Sequence, residues 1–365
     1  MSLTSISTSS RALRSTVSSL SLRFLSSSSS SLSSTTSRPF SHLTTKTHPL
    51  TPSRSPLTPK TTPPSTLTST STSLHLTPRR TLTTTPNMSL VEQAKKAAAY
   101  RAVDEHLAPD ARYVGIGSGS TVVYVVDAIA AKGPSFYGNM TFFPTGSQSK
   151  GLIRAAGLRL CNLDDRPVGP DGKLVAIDVA FDGADEVDAE LNCIKGGGAC
   201  LFQEKLVAIA AKKFVVVADY RKLSARLLTN WKAIPIEVLP MSAPDVLDRL
   251  TALGAVKPAV RPGAPGKAGE VVTDNGMWLI DAPFPQLLLS SEVSDGSARN
   301  ASGAWEVSAL AKELLMIPGI VEIGIFHGLN GVEAAAAGKV GLAQKPVAAY
   351  FGMEDGSVKV TGGSS

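Results

Sequence analysis

Asp182-Gly183-Ala184-Asp185-Glu186 sets three carboxylates within five residues, directly after the apolar run Val175 to Phe181. The Gly-Ala pair lets the backbone turn so that Asp182 and Asp185 converge on one ligand; solvated loop acids are the alternative. Further on, Lys195 precedes Gly196-Gly197-Gly198. Consecutive glycines beside a helix cost backbone entropy unless something approaches the backbone closely, and Lys195 is then a cation able to face an oxyanion. Glu204 follows within the Ala/Leu-rich segment Cys200 to Lys212, either as a base or as an exposed helix-face acid. Gly117-Ser118-Gly119-Ser120-Thr121 offers backbone N–H groups, hydroxyls and a helix N-terminus suited to a phosphate, though a plain strand-to-helix turn reads the same way. It lacks the Lys-Ser/Thr ending of a P-loop, and Gly115-x-Gly117-x-Gly119 is not dinucleotide spacing. Ala218 to Lys222 ends another apolar run, where Lys222 is a phosphate partner or a solvated charge.

The combination says more than any member. Phosphate-binding turns, converging carboxylates, an amine and a helix-borne Glu, with only His106 and His327 as histidines after residue 87, suit metal-free proton transfer on a phosphorylated substrate. An aldose-to-ketose shift needs a base for the proton beside the carbonyl, donors to stabilise an enediolate, and an acid for the hydroxyl proton. These residues supply all three.

The elements that must position them alternate. Val91 to Leu107 predicts a helix, with Ala99, Val103 and Leu107 on one face and Lys95, Lys96 and Arg101 elsewhere on its surface. Strands are expected at Tyr113 to Ile116, Met140 to Phe143, Val175 to Phe181 and Phe214 to Ala218, each meeting a turn, with helices between them. That rhythm predicts an α/β fold: a Rossmann-like parallel sheet flanked by helices, with ligands at the carboxyl ends of its strands. Past Pro235 the pattern changes to Ile236 to Leu239, a helix over Pro244 to Leu253, Val271-Val272, Trp278 to Asp281 and Ile320 to Ile325, a second, smaller α+β unit. Arg261 to Gly269 and Ser290 to Gly303 read as surface loops. The expected division is a catalytic domain over 88–236 completed by 347–365, and a small domain over 237–346.

Of 365 residues, 36 are Lys or Arg and 30 Asp or Glu, net +6, but the charge is unevenly spread. Residues 1–87 hold no acid, nine basic residues and 46 Ser or Thr, which predicts a disordered extension. Its Arg11, Arg14 and Arg23 among Ser and Leu fit a transit peptide; a dispensable extension before a second start at Met88 is the alternative. The other 278 residues carry 27 basic and 30 acidic groups, net −3, so no nucleic-acid surface is supported. No apolar run approaches a membrane span. Cys161, Cys193 and Cys200 are too few and too scattered for a disulfide framework or zinc site, which points to a reducing compartment.

Gly115-Ile-Gly-Ser-Gly-Ser-Thr121, Phe181-Asp-Gly-Ala-Asp-Glu-Val-Asp188, Ile194-Lys-Gly-Gly-Gly-Ala-Cys-Leu-Phe-Gln-Glu-Lys205, Ile234-Pro-Ile-Glu-Val238 and Val272-Thr-Asp-Asn-Gly276 resemble ribose-5-phosphate isomerase of the A type. Ala97 to Asp104 and Ser118 to Tyr124 are similar to its fungal members. The resemblance covers nearly all of 89–283 and returns at Ile317 to Glu322 and Tyr350 to Val360. It implies a cofactor-free, metal-free isomerase of the non-oxidative pentose phosphate pathway, cytoplasmic, or mitochondrial if the extension is used, and a homodimer or homotetramer. It makes Glu204 the base that moves a proton between C1 and C2. Asp182 then handles hydroxyl protons with Asp185 beside it, and Lys195 stabilises the enediolate. Gly117 to Thr121, Lys96 and Lys222 match phosphate and sugar contacts, Gly183 and Ala184 the acidic turn, and Gly196 to Gly198 the loop that approaches substrate.

Several features depart from the family. Ser118 replaces a frequent Thr, keeping the hydroxyl, and the Phe143 to Ser149 turn, a lid or wall, fits the fungal form. Ser290 to Gly303 and Gly331 to Pro346 look inserted, and the extension has no counterpart. Two other readings compete. A silent sugar-phosphate sensor would have no need of Glu204 and lacks a DNA-binding module; a nicotinamide dehydrogenase would need dinucleotide glycine spacing.

Overall fold

The computed structural model describes residues 88–294, 296–339 and 341–363, and the expectations for the 1–87 extension lie outside them. The chain runs α1 (Leu90–His106), β1 (Tyr113–Ile116), α2 (Val122–Ala131), α3 (Pro134–Tyr137), β2 (Thr141–Pro144), α4 (Ser147–Ala155), β3 (Val179–Asp182), β4 (Glu186–Val187), β5 (Cys193–Ile194), α5 (Leu201–Ala210) and β6 (Phe214–Asp219). It continues through β7 (Ile234–Val238), α6 (Ala243–Leu253), β8 (Ala259–Val260), β9 (Trp278–Ala282), α7 (Val307–Leu315), β10 (Ile320–Ile323), β11 (Ile325–Phe326), α8 (Gly331–Ala336), β12 (Ala348–Gly352) and β13 (Val358–Gly362).

Six strands form one sheet in the order β13-β12-β6-β3-β1-β2. Every pairing is parallel except β12 with β13. β3 and β6 are buried at every position, which is why they read as unbroken apolar runs rather than alternating ones. Alternation then divides their side chains between two cores. Val179, Phe181, Val215 and Val217 pack with α1 and α2, while Ala180, Val216 and Ala218 meet Val207 and Ala208 of α5 on the other face. Helix α1 starts at Ser89, whose hydroxyl accepts from the Glu92 N–H at 3.3 Å, and lays small side chains at Ala94, Ala98 and Ala102 on the sheet.

A second, antiparallel sheet has the order β10-β7-β9-β8. It is covered by α6 and α7 through Val246, Leu250, Leu310 and Leu314. The first strand, β7, begins at Ile234 and is buried throughout, so the expected boundary after 236 falls inside a strand. At the other end the chain leaves this sheet well before 347, when β11 pairs with β5 in the three-stranded sheet β11-β5-β4. Val271-Val272 forms no strand; Val272 makes a single bridge to Trp278 across the tight turn Thr273 to Gly276. Helix α7 was not anticipated, although Val307, Leu310, Ala311 and Leu314 are its buried stripe, and α8 lies within the stretch expected as an insertion.

Candidate active site

The loops after β1, β3 and β6 meet at the carboxyl edge of the parallel sheet, where Lys195 enters from beyond β5 and Glu204 from α5. Asp182, the last residue of β3, accepts through Oδ1 from the N–H groups of Ser118 (3.0 Å) and Gly183 (2.7 Å). That fit requires a glycine at 117, where a Cβ would stand 2.0 Å from Asp182 Oδ1. Lys195 donates from Nζ to the Gly183 carbonyl. The same Nζ lies 3.0 Å from Asp182 Oδ2 and 3.5 Å from Glu204 Oε2. These two carboxylate oxygens face the ammonium at ion-pair distance but receive no aligned hydrogen bond from the protein.

All three side chains are nearly enclosed, at 3% exposure for Asp182 and Lys195 and 6% for Glu204. Burial drives Asp182 above the usual carboxylate range, with the Lys195 charge pulling the other way. Burial likewise pushes Glu204 up to about 8; Lys195 opposes the rise, while Asp182 and Asp185 add to it. Burial disfavours the Lys195 cation, but Asp182, Glu204 and Asp185 together outweigh this and hold its pKa above the ordinary lysine value. The site therefore contains a fixed cation beside a carboxyl that exchanges its proton near neutral pH.

Asp185 accepts from the Gly197 N–H at 2.7 Å, and a Cβ at 197 would collide with its carboxylate at 2.6 Å. The glycine loop is thus bonded to the acidic turn. Its other side is held by Arg261 of the small sheet, which donates to the carbonyls of Gly196 (3.0 Å) and Gly197 (3.1 Å) and pairs with Asp281. Arg261 was expected in a surface loop; only its donor geometry, invisible in the sequence, reveals its place. Glu186, the third acid of the turn, points away and accepts from Ser224 and from the N–H groups of residues 228, 229 and 230.

These groups border a cavity of about 250 Å³. Ser118, Gly119, Ser120 and Thr121 line one wall, Gly183, Ala184 and Asp185 another, and Lys195, Gly196, Gly198 and Glu204 the floor and a third side. Lys222 also lines the cavity, with its Nζ 5.2 Å from the Trp231 ring centroid. Gly117 sits behind the wall, its N–H bonded to Phe181 O. Lys96 does not line the cavity; its Nζ lies 5.1 Å from the centroid of the Tyr100 ring. The neighbouring Lys95, expected on the surface, is buried instead and donates to Ser120 Oγ (3.0 Å) and Glu92 (2.8 Å). The phase of α1 explains the exchange, since Lys95 shares a face with the buried Ala98, Ala99 and Ala102. Gln148, within the Phe143 to Ser149 turn expected as a lid or wall, and Cys200 also line the cavity, though neither was given a role of its own from the sequence. Lys205, next to Glu204, is wholly internal and donates to Glu322 and to the carbonyls of Ile323 and Ile325, tying α5 to β10 and β11.

The family model described as ribose 5-phosphate isomerase A (phosphoriboisomerase A) matches residues 141–339. The chain is 44% identical over 274 residues to the ribose-5-phosphate isomerase of Mycosarcoma maydis, covering 75% of this chain and 82% of that protein. It is 45% identical over 275 residues to that of Schizosaccharomyces pombe, covering 75% and 85%. Among solved structures, ribose 5-phosphate isomerase A from Methanocaldococcus jannaschii matches with a TM-score of 0.57 at 30% identity, over 74% of this chain and 99% of that one. A D-ribose-5-phosphate isomerase in complex with phospho-erythronic acid matches with a TM-score of 0.57 at 32% identity, over 75% and 99%. The chain belongs to the ribose 5-phosphate isomerase A family.

Proposed function

We propose that this protein interconverts D-ribose 5-phosphate and D-ribulose 5-phosphate by proton transfer through an enediolate, in the non-oxidative pentose phosphate pathway. The observation that carries the reading is Lys195, held between Asp182 and Glu204 on the floor of a cavity rimmed by the Gly117–Thr121 loop and Lys222. Family membership gives the substrate its identity.

In this mechanism the phosphate rests on the amides and hydroxyls of the Gly-Ser loop at the α2 N-terminus, with Lys222 lining the same cavity. Glu204 takes the proton from the carbon beside the carbonyl and returns it to the neighbouring carbon. Its elevated pKa makes it a stronger base than an ordinary carboxylate once ionised. The Lys195 ammonium stabilises the oxyanion that forms, and enclosure strengthens that interaction. Asp182 moves the hydroxyl protons, including the one transferred on ring opening, and Asp185 holds the glycine loop at working distance.

The enzyme acts in the cytoplasm in this reading, with mitochondrial import as the alternative if residues 1–87 direct it. It assembles as a homodimer or homotetramer. Leu239, Met241, Leu315 and Met316 are exposed large apolar side chains of the small domain that a second copy would cover. Among the described residues, no helix is long and apolar enough to cross a membrane. The test is to supply ribose 5-phosphate to EDTA-treated protein and follow the ketose. Formation of ribulose 5-phosphate is expected; binding without conversion would return the sensor reading.

A further inference from the structure

We propose that Gln148 is a displaceable stand-in for the substrate phosphate. Its carboxamide oxygen occupies the Gly119 amide until an anion takes that place, so that phosphorylated sugars are selected over neutral ones. The proposal rests on reading the Gly117–Thr121 loop as the phosphate site.

The amides of that loop are unequally committed. Gly117 N–H is bonded to Phe181 O at 2.8 Å and Ser118 N–H to Asp182 Oδ1 at 3.0 Å, so both belong to the scaffold. Ser120 and Thr121 N–H meet no protein acceptor among the described residues. Gly119 N–H lies between these groups and donates to Gln148 Oε1 at 2.8 Å. Gly119 and Gln148 both border the cavity, and Gln148 is otherwise exposed.

The residues on either side of Gln148 are held by several bonds, whereas its own side chain is held by the bond to Gly119 N–H. Ser147 is bonded through N–H and Oγ to Asp274 Oδ2, at 3.0 Å each, from the turn after Val272. Ser149 Oγ accepts from Thr145 N (3.0 Å) and Gly146 N (3.1 Å) and donates to Gly146 O (3.0 Å). The first turn of α4 is therefore held to both its own N-terminus and the turn before β9, so rotation of the Gln148 side chain alone would suffice to free the Gly119 amide.

A neutral amide oxygen is the right strength for this part. Phosphate oxygens make charge-assisted bonds about twice as strong as neutral ones, so the anion displaces Gln148, whereas a sugar hydroxyl gains nothing by doing so. A carboxylate at 148 would hold the amide by charge and repel the ligand. Lys95, paired with Glu92, donates to Ser120 Oγ and fixes that hydroxyl on the same loop.

The test measures binding of inorganic phosphate to the full chain by calorimetry, in the wild type, Gln148→Ala and Gln148→Glu, together with KM for ribose 5-phosphate. Removing a competing neutral hydrogen bond should tighten phosphate binding in Gln148→Ala by about 2- to 10-fold and lower KM in step. Gln148→Glu should weaken it by roughly 10-fold or more, recovering as the pH falls toward the ordinary glutamate pKa of about 4. A gain of affinity on truncation is not what loss of a structural contact produces. Unchanged or weaker phosphate binding in Gln148→Ala would overturn the proposal. Phosphate binding without isomerase turnover in the wild type would instead overturn the isomerase reading and leave this one measurable.

Discussion

Glu204→Gln should make the protein more stable as well as inactive, and the gain should grow with pH. The folded-state pKa of Glu204 is about 8, against a starting value of 4.5. A carboxyl whose pKa is raised by folding favours the native state at pH values below its unfolded pKa, and that contribution is lost as the pH climbs toward the folded value. Each pH unit across this interval costs about 1.4 kcal/mol, so the wild type loses up to about 4 kcal/mol from this group between pH 5 and pH 8. Glutamine keeps the shape and carries no titrating proton. Urea unfolding of both proteins at pH 5 and pH 8 should give stability curves that nearly meet at the acidic end and diverge toward the alkaline end, with the variant above. A pH-independent gap, or a wild type that gains on the variant as the pH rises, would refute the claim that Glu204 is a buried carboxyl with an elevated pKa.

Lys222→Ala should raise KM for ribose 5-phosphate by roughly 10-fold, the loss of one charge-assisted contact worth about 1.5 kcal/mol, with kcat less affected; steady-state kinetics decide it. Arg261→Ala frees the carbonyls of Gly196 and Gly197 and leaves Asp281 unpaired, so kcat should fall and the urea midpoint drop by an amount equivalent to about 1–3 kcal/mol. Lys205→Met removes the cation that Glu322 and two carbonyls share and should cost about 3–5 kcal/mol in stability, read by thermal unfolding. Protein beginning at Met88 should keep the full-length kcat and lose nothing to EDTA, as an activity assay of both forms will report.

The parallel sheet and the acidic turn were legible because buried strands and glycine-rich turns leave local marks. Asp182, Lys195 and Glu204 sit at strand ends or in a short helix beside three glycines, and their convergence follows from the strand order. What the sequence hid depended on phase and distance. Lys95 and Lys96 are chemically identical neighbours, and only the packing of α1 chooses between them. Arg261 bonds backbone carbonyls and Gln148 a backbone N–H of other loops, 65 and 29 residues away, and backbone partners leave no side-chain pattern to find. β7 runs through the expected boundary after 236, with Pro235 and Glu237 buried inside the strand, so the change of rhythm at Pro235 marks the middle of an element.

The central claim is that Glu204 moves the proton beside the carbonyl while Lys195 holds the developing oxyanion. Turnover of ribose 5-phosphate by Glu204→Gln, measured beside direct binding of the same sugar phosphate, tests it in one experiment. Binding should stay within a few-fold of the wild type and turnover should fall by roughly 100- to 10,000-fold, the range for a positioned acid-base group. Turnover close to the wild-type rate would contradict it.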